Sequence, residues 1–284
     1  MKKQFLYFCV FSSGMVTLGA ELAAARLLGS TFGTSNLVWA SIIGLILIYL
    51  TVGYTVGGRW ADRNPTPKAF FRLMLWAGFT TGLIPFFSRP LLRFASAAFD
   101  EVQVGFLFGS FTVVMILFIV PVTLLGAISP FAIRLAMDDT EKAGQISGRI
   151  YAISTLGSFL GTFVPDLLLI PTVGTTWTYL VLSLFLIGIA LLFKAIVLGP
   201  KSILRYIWMP IVVFALGLLW VNTPIKQSEG QVYETESMYN YIQVVERNGI
   251  TMLRLNEGQG IHSMYAPDRL AFYGSWMQFL AAPF

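Results

Sequence analysis

The sequence predicts an all-α polytopic membrane bundle of about seven transmembrane helices, followed by a small antiparallel β-segment and the start of a further helix. Three observations support this prediction. Hydrophobic residues make up 56% of the 284 residues and charged residues only 12%, whereas a soluble domain carries about 25% charge. Apolar runs of membrane-spanning length recur up to residue 222. Beyond that point, apolar and polar residues alternate as they do in strands.

Seven apolar runs are candidates for crossing a bilayer, which takes about 20 mostly apolar residues. They cover residues 5–28, 36–58, 70–88, 104–128, 148–171, 175–197 and 204–222. The third run is the weakest, because Pro85 interrupts it. We therefore divide the chain into a transmembrane domain (1–222), a β-region (223–266) and the first helix of a further domain (267–284).

The two ends of such a bundle differ in positive charge. The end that holds the N-terminus carries Lys2, Lys3, Arg59, Arg63, Lys68, Arg72, Arg134, Lys142, Arg149, Lys194, Lys201 and Arg205. The opposite end carries Arg26, Arg89 and Arg93. Because Lys and Arg concentrate in cytoplasmic loops, we expect a cytoplasmic N-terminus and, after seven spans, a β-region outside the cytoplasm. The positive charge therefore indicates a lipid bilayer as partner, and no nucleic acid.

Ionisable residues inside membrane helices are costly and are functional candidates by default. Glu21 and Arg26 lie in the first run and Asp166 in the fifth. Five residues separate Glu21 from Arg26, about 140° around a helix, so each is expected to find a partner elsewhere, with Arg134 as one candidate. For Glu21, a structural ion pair and a ligand- or proton-binding role both stay open. Arg26 and Asp166 lie nearer the helix ends, where a charged group can reach water.

A short loop motif follows the second run. Gly58, Arg59, Asp62 and Arg63 resemble the loop motif of major facilitator transporters, in which a Gly, an Asp and basic residues brace neighbouring helix ends. A positive anchor with one compensating acid explains three of the four residues equally well. The chain has one cysteine and one histidine, so we predict no metal site built from these ligands.

The β-region has the patterns of a hairpin. Residues 231–237, 239–247 and 250–258 alternate well enough to be strands, and Asn248-Gly249 is a strong tight-turn signal between the last two. From Arg269 the sequence is typical of a helix. A hairpin and part of a helix are too little to fold alone, so this segment is expected to begin a larger domain.

Several stretches, in order, resemble bacterial membrane proteins described as fused major-facilitator/spermidine-synthase proteins. They read SSGMVTLGAELAAARLLGSTFGTS (12–35), GGRWADR (57–63) and LLGAISPFAIRLA (124–136). In the β-region, ETESMYNYIQVVE followed by LRLNEGQGIHS is similar to the N-terminal β-region of polyamine aminopropyltransferases. The resemblance implies a multi-pass protein of the bacterial cytoplasmic membrane.

The resemblance also implies a parent activity, namely aminopropyl transfer from decarboxylated S-adenosylmethionine, the co-substrate, to an amine. By resemblance, the positions that contact these molecules are Tyr239, Asn240, Gln259 and Tyr273. The family binds the nucleoside in a Rossmann-like domain, which these 284 residues do not contain. We therefore predict no catalytic residue and no bound cofactor for this chain by itself, and expect a separate or further Rossmann-like domain as partner.

Three functions stay open at this point. The chain is the membrane part of a spermidine-synthase-like protein, a bundle that binds or transports an amine or amphiphile near Glu21, or a plain membrane anchor or assembly module, with a homo-oligomer possible in each case. An accessible polar cavity around Glu21 would favour the second function.

Overall fold

A computed structural model describes residues 3–99, 105–137, 142–220, 225–226, 228–237, 239–258 and 260–268. Its helices are α1 (Lys3–Phe32), α2 (Asn36–Arg63), α3 (Pro67–Phe99), α4 (Gly105–Ala136), α5 (Ala143–Phe163), α6 (Ile170–Leu198) and α7 (Trp208–Trp220). A π-helical turn (Val164–Leu169) joins α5 to α6, and a 3-10 turn (Pro200–Ile203) follows α6. In the described part of the chain, five helical stretches are long and apolar enough to cross a membrane. This result supports the predicted multi-pass membrane protein.

The boundary between the fifth and sixth predicted runs coincides with a break in the helix. Stretch 143–198 is helical apart from Gly174, whose φ of 79° lies in the left-handed region. The π-helical turn comes just before this break. Pro165 lies in the π-helical turn and Pro171 lies two residues after it, and neither can donate the backbone hydrogen bond of a regular α-helix. The helical segment 175–198 therefore has a free N-terminus of its own at Thr175.

The third run forms a more continuous helix than its sequence predicts. Helix α3 continues through both Pro85 and Pro90, although Pro85 was expected to interrupt it. Neighbouring helices and side-chain hydroxyls can satisfy the carbonyls that a proline leaves free in a membrane helix.

Two closely packed helix pairs organise the bundle. Helix α1 packs mainly against α5, and α2 mainly against α4, while α3 joins α4 to α6 and α1 contacts both α4 and α6. Glycines provide the close approach in both pairs. Gly53 and Gly57 lie against the α4 backbone, and Gly157 and Gly161 lie against the α1 backbone. A side chain at any of these four positions would overlap backbone atoms of the neighbouring helix.

The last part of the chain that the structure describes forms a four-stranded antiparallel sheet of order β1-β2-β3-β4. The strands are β1 (Gln231–Glu236), β2 (Tyr241–Arg247), β3 (Ile250–Leu255) and β4 (Ile261–Tyr265). The first three lie within the predicted segments, and the turn between β2 and β3 has the positive φ angles of a tight hairpin, 52° at Asn248 and 74° at Gly249. Strand β4 was not predicted. The helix predicted from Arg269 lies outside the described residues.

We predict that Gly157→Ala destabilises the bundle, whereas Gly188→Ala does not. The new methyl group at residue 157 would overlap the Phe11 carbonyl of α1, while the one at residue 188 meets open space. Overpacking costs about 1–3 kcal/mol, and the matched change in an exposed helix interior is neutral or favourable by up to about 1 kcal/mol. Thermal unfolding in detergent measures both. Equal melting temperatures for the two variants would contradict the close α1–α5 contact.

Candidate functional site

A polar cavity of about 130 Å³ lies inside the helical bundle around Glu21. Helices α1, α2, α4 and α5 all contribute to its wall. The polar residues that line it are Ser13, Thr17, Glu21, Tyr54, Ser129, Ser154 and Ser158. Glu21 lies about 5 Å from the midpoint of α1, at 1.5 Å per residue, so the cavity belongs to the central part of the bundle.

Glu21 differs from the other acidic residues near the helices because no described residue forms a hydrogen bond or an ion pair with its carboxyl group. Several hydroxyls around it donate their hydrogens to helix carbonyls. The Ser13 hydroxyl donates to the Val10 carbonyl, and the Thr17 hydroxyl donates to the Ser13 carbonyl. The lone pairs of these hydroxyl oxygens remain for a ligand in the cavity, since a hydroxyl accepts as well as donates.

The cavity lies at the bottom of a groove between α2 and α5. Leu50 and Tyr54 of α2 form one wall, and Ser154 and Ser158 of α5 form the other. Helices α1 and α4 contact each other beneath them and form the floor. Along this floor Thr17, Leu18 and Glu21 are half-buried. The carboxyl group is thus reached from the side of the bundle.

Arg26 and Asp166 form an ion pair between α1 and the π-helical turn. The Arg26 Nε and Asp166 Oδ1 atoms are 3.6 Å apart, and the side chains are 20% and 38% exposed. Arg26 is also close enough to Glu236 of β1 to interact with it electrostatically. The structure thus brings Arg26 and Asp166 together, and places Glu21 apart from both.

Glu236 joins the sheet to the bundle at the helix break. Its carboxylate accepts hydrogen bonds from both the backbone N–H of Thr175, at 2.5 Å, and the Thr175 hydroxyl. It therefore caps the N-terminus of segment 175–198, where the positive end of the helix dipole favours an anion. Burial raises the pKa of Glu236, against the opposing effect of the Thr175 hydrogen bonds.

A second polar cavity, of about 290 Å³, lies between the sheet and this end of the bundle. Arg89 of α3 is buried within its wall, and the Glu234 and Glu236 carboxylates of β1 face it. Glu234 accepts from the backbone N–H of Ile225 at 2.9 Å. Because Arg89, Glu234 and Glu236 already have hydrogen-bond partners in the protein, we interpret this cavity as part of the docking interface between sheet and bundle.

The loop motif lies at the opposite end of the bundle. Asp62 forms an ion pair with Arg134 of α4, with 3.2 Å between Asp62 Oδ1 and Arg134 Nε. Arg134 therefore has a partner other than Glu21. Gly58 is half-buried near Pro130, while Arg59 and Arg63 are exposed. The Asp62 and Arg134 side chains are 72% and 42% exposed, so this pair contributes at most about 1 kcal/mol.

Of the residues predicted from the aminopropyltransferase resemblance, the two that the structure describes, Tyr239 and Asn240, line neither of these two cavities. Tyr239 is 80% exposed, and the Asn240 side chain accepts a hydrogen bond from Asn256 at 3.0 Å. The Ser237 hydroxyl accepts from the backbone N–H groups of both residues and fixes the turn before β2. Gln259 and Tyr273 lie outside the described residues.

No protein-family model, no curated protein and no solved structure matches the chain. Within the described residues, no group of three or more Cys, His, Asp or Glu side chains could hold a metal ion. The chemistry of the site therefore has to be inferred from the residues themselves.

Two parts of this arrangement were not predicted from the sequence. The hydroxyls around Glu21 come from four helices, and only packing brings them together. The sequence predicts Glu236 as part of a strand, and its partner Thr175 lies 61 residues earlier in the sequence. A partial signal existed in Gly174, because a glycine between two apolar runs often ends one helix before the next begins.

We predict that docking of the sheet strengthens as the pH falls. The pKa of Glu236 is raised in the docked state, so this state takes up a proton more readily than an undocked state with an exposed carboxyl group. By linkage, docking is strongest below the ordinary pKa, weakens as the pH rises from the ordinary to the raised pKa, and stays weaker above it. The protection factor of the Thr175 amide against hydrogen exchange, corrected for intrinsic rates, measures this change.

Glu236→Gln is expected to remove this pH dependence, because the amide keeps a hydrogen-bond acceptor for Thr175 but does not titrate. Glu246→Gln is the matched control, since Glu246 is exposed on β2, and it should retain the wild-type profile. Protection that rises with pH in the wild-type protein would contradict the role of Glu236.

Proposed function

We propose that the helical bundle is a cation-binding membrane protein whose site is the Glu21 cavity, and that the cation is a small protonated amine. The observation that carries this proposal is the Glu21 carboxyl group, which has no hydrogen bond or ion pair with any described residue and faces a cavity lined by hydroxyls. A carboxylate in the middle of a membrane bundle requires a compensating positive charge or a proton.

The surrounding groups favour an amine. A primary ammonium offers three N–H donors, and the cavity offers the Glu21 carboxylate and several hydroxyl oxygens as acceptors. The Ser158 hydroxyl donates to the Gly14 carbonyl at 3.1 Å, so its oxygen is directed to accept, as are those of Ser13 and Thr17. The volume of about 130 Å³ is large enough for a small amine, since a cavity of ~150 Å³ holds benzene.

We also propose an orientation of the bundle in the membrane. Seven spans with a cytoplasmic N-terminus would place the positively charged loops inside a bacterial cytoplasmic membrane and the sheet outside. The docking of Glu236 on Thr175 supports this arrangement, because Thr175 begins the helix that ends near the basic residues Lys194 and Lys201. The sheet and the basic loops thus lie at opposite ends.

The relation to aminopropyltransferases stays a second proposal, with decarboxylated S-adenosylmethionine as co-substrate and a Rossmann-like domain as partner. The antiparallel sheet at the predicted positions supports it. Tyr239 and Asn240 act in a turn and line neither cavity. This geometry favours the bundle over the sheet as the place of function in this chain.

We predict that methylammonium chloride raises the melting temperature of the purified protein in detergent, because a ligand that binds only the folded state stabilises it. The rise should saturate with concentration, and should exceed the effects of sodium and potassium chloride at the same ionic strength. Glu21→Gln should abolish the rise.

Glu246→Gln, an exposed change on the sheet, should leave the response unchanged. Equal stabilisation of the wild-type protein and Glu21→Gln would contradict the proposal. If sodium alone gives a saturable rise in melting temperature, the ligand is an alkali cation and not an amine.

A further inference from the structure

The Glu21 cavity is too small to enclose a long-chain amine. Its volume of about 130 Å³ is slightly below the ~150 Å³ of a cavity that holds benzene, so it has room for about six non-hydrogen atoms. A larger ligand must therefore extend beyond it. The lining residues leave the site open on one side, at the groove between α2 and α5.

This groove faces the side of the bundle and not one of its ends. Tyr54 of α2 and Tyr151 of α5 are 44% and 50% exposed, and their phenols are close enough to interact electrostatically. They form the two rims above the half-buried Thr17, Leu18 and Glu21. Because this level of the bundle is occupied by lipid in a membrane, the rims meet the acyl chains.

From this geometry we infer that the ligand is a monoamine with a single apolar chain, which reaches Glu21 from the bilayer between α2 and α5. The inference rests on the proposed function of the Glu21 cavity. The ammonium group would contact Glu21 and the hydroxyls, and the chain would lie between Tyr54 and Tyr151 and continue into lipid.

The same geometry excludes a diamine as a good ligand. The second ammonium of a short diamine would lie farther from Glu21, among lining residues that include the apolar Leu18 and Leu50. Within the described residues that line the cavity, Glu21 is the sole acidic side chain. An uncompensated charge at this depth is costly.

A photoreactive amine tests the inference in liposomes. The probe is a hexylamine that carries a diazirine at the far end of its chain, and peptide mapping locates the adducts after irradiation. We expect adducts at the two rim residues, Tyr54 and Tyr151, several-fold above those at Leu156. Leu156 is the matched control, because it lies on the same helix as Tyr151, is 61% exposed and is turned about 140° away from it.

Competition and substitution then separate a bound probe from one dissolved in lipid. Excess methylammonium, with the unaltered protein, should suppress the rim adducts, and so should Glu21→Gln, while butane-1,4-diamine should suppress them poorly. Adducts spread equally over Tyr151 and Leu156, or unaffected by methylammonium, would overturn the inference. If methylammonium raises the melting temperature but the probe leaves the rims unlabelled, the lipid route fails and the proposed function stands. If neither response occurs, both fail.

Discussion

The constraint on which this structure depends is that a bilayer offers no hydrogen-bond partners, so polar groups in the bundle must be satisfied by the protein. The hydroxyls on the helices meet this constraint locally. Thr51 and Thr55 of α2, for example, donate to carbonyls four residues earlier. The glycines of α2 and α5 then let helices meet backbone to backbone. Against this background, the Glu21 carboxyl group stands out because no described residue forms a hydrogen bond or an ion pair with it, and we propose that a ligand provides its partner.

A polar contact attaches the sheet to the bundle. Glu236 uses the free N-terminus that Gly174 creates in the middle of stretch 143–198. The break in the helix and the docking of the sheet are therefore one feature. The ion pair of Arg26 and Asp166 lies beside the contact between Glu236 and Thr175. Arg26, near the end of α1, therefore belongs to the same polar region. Polar contacts hold this end of the bundle together, whereas the groove at Glu21 is open at its side.

Much of the architecture could be predicted from the sequence, because hydrophobic length and alternation depend on local composition. The helical runs, the break near Gly174 and the hairpin turn at Asn248-Gly249 are of this kind. The continuity of α3 through Pro85 was not, since it depends on neighbouring helices. The same holds for the site. Glu21 stands out as a charge in an apolar run, but the hydroxyls of Ser129, Ser154 and Ser158 acquire meaning only through packing.

Infrared difference spectroscopy of the protein in lipid, with methylammonium added to one sample, tests whether Glu21 binds a protonated amine. We expect a change in the carboxyl and carboxylate bands when methylammonium binds, and the loss of this change in Glu21→Gln. Identical difference spectra from the wild-type protein and Glu21→Gln would contradict it.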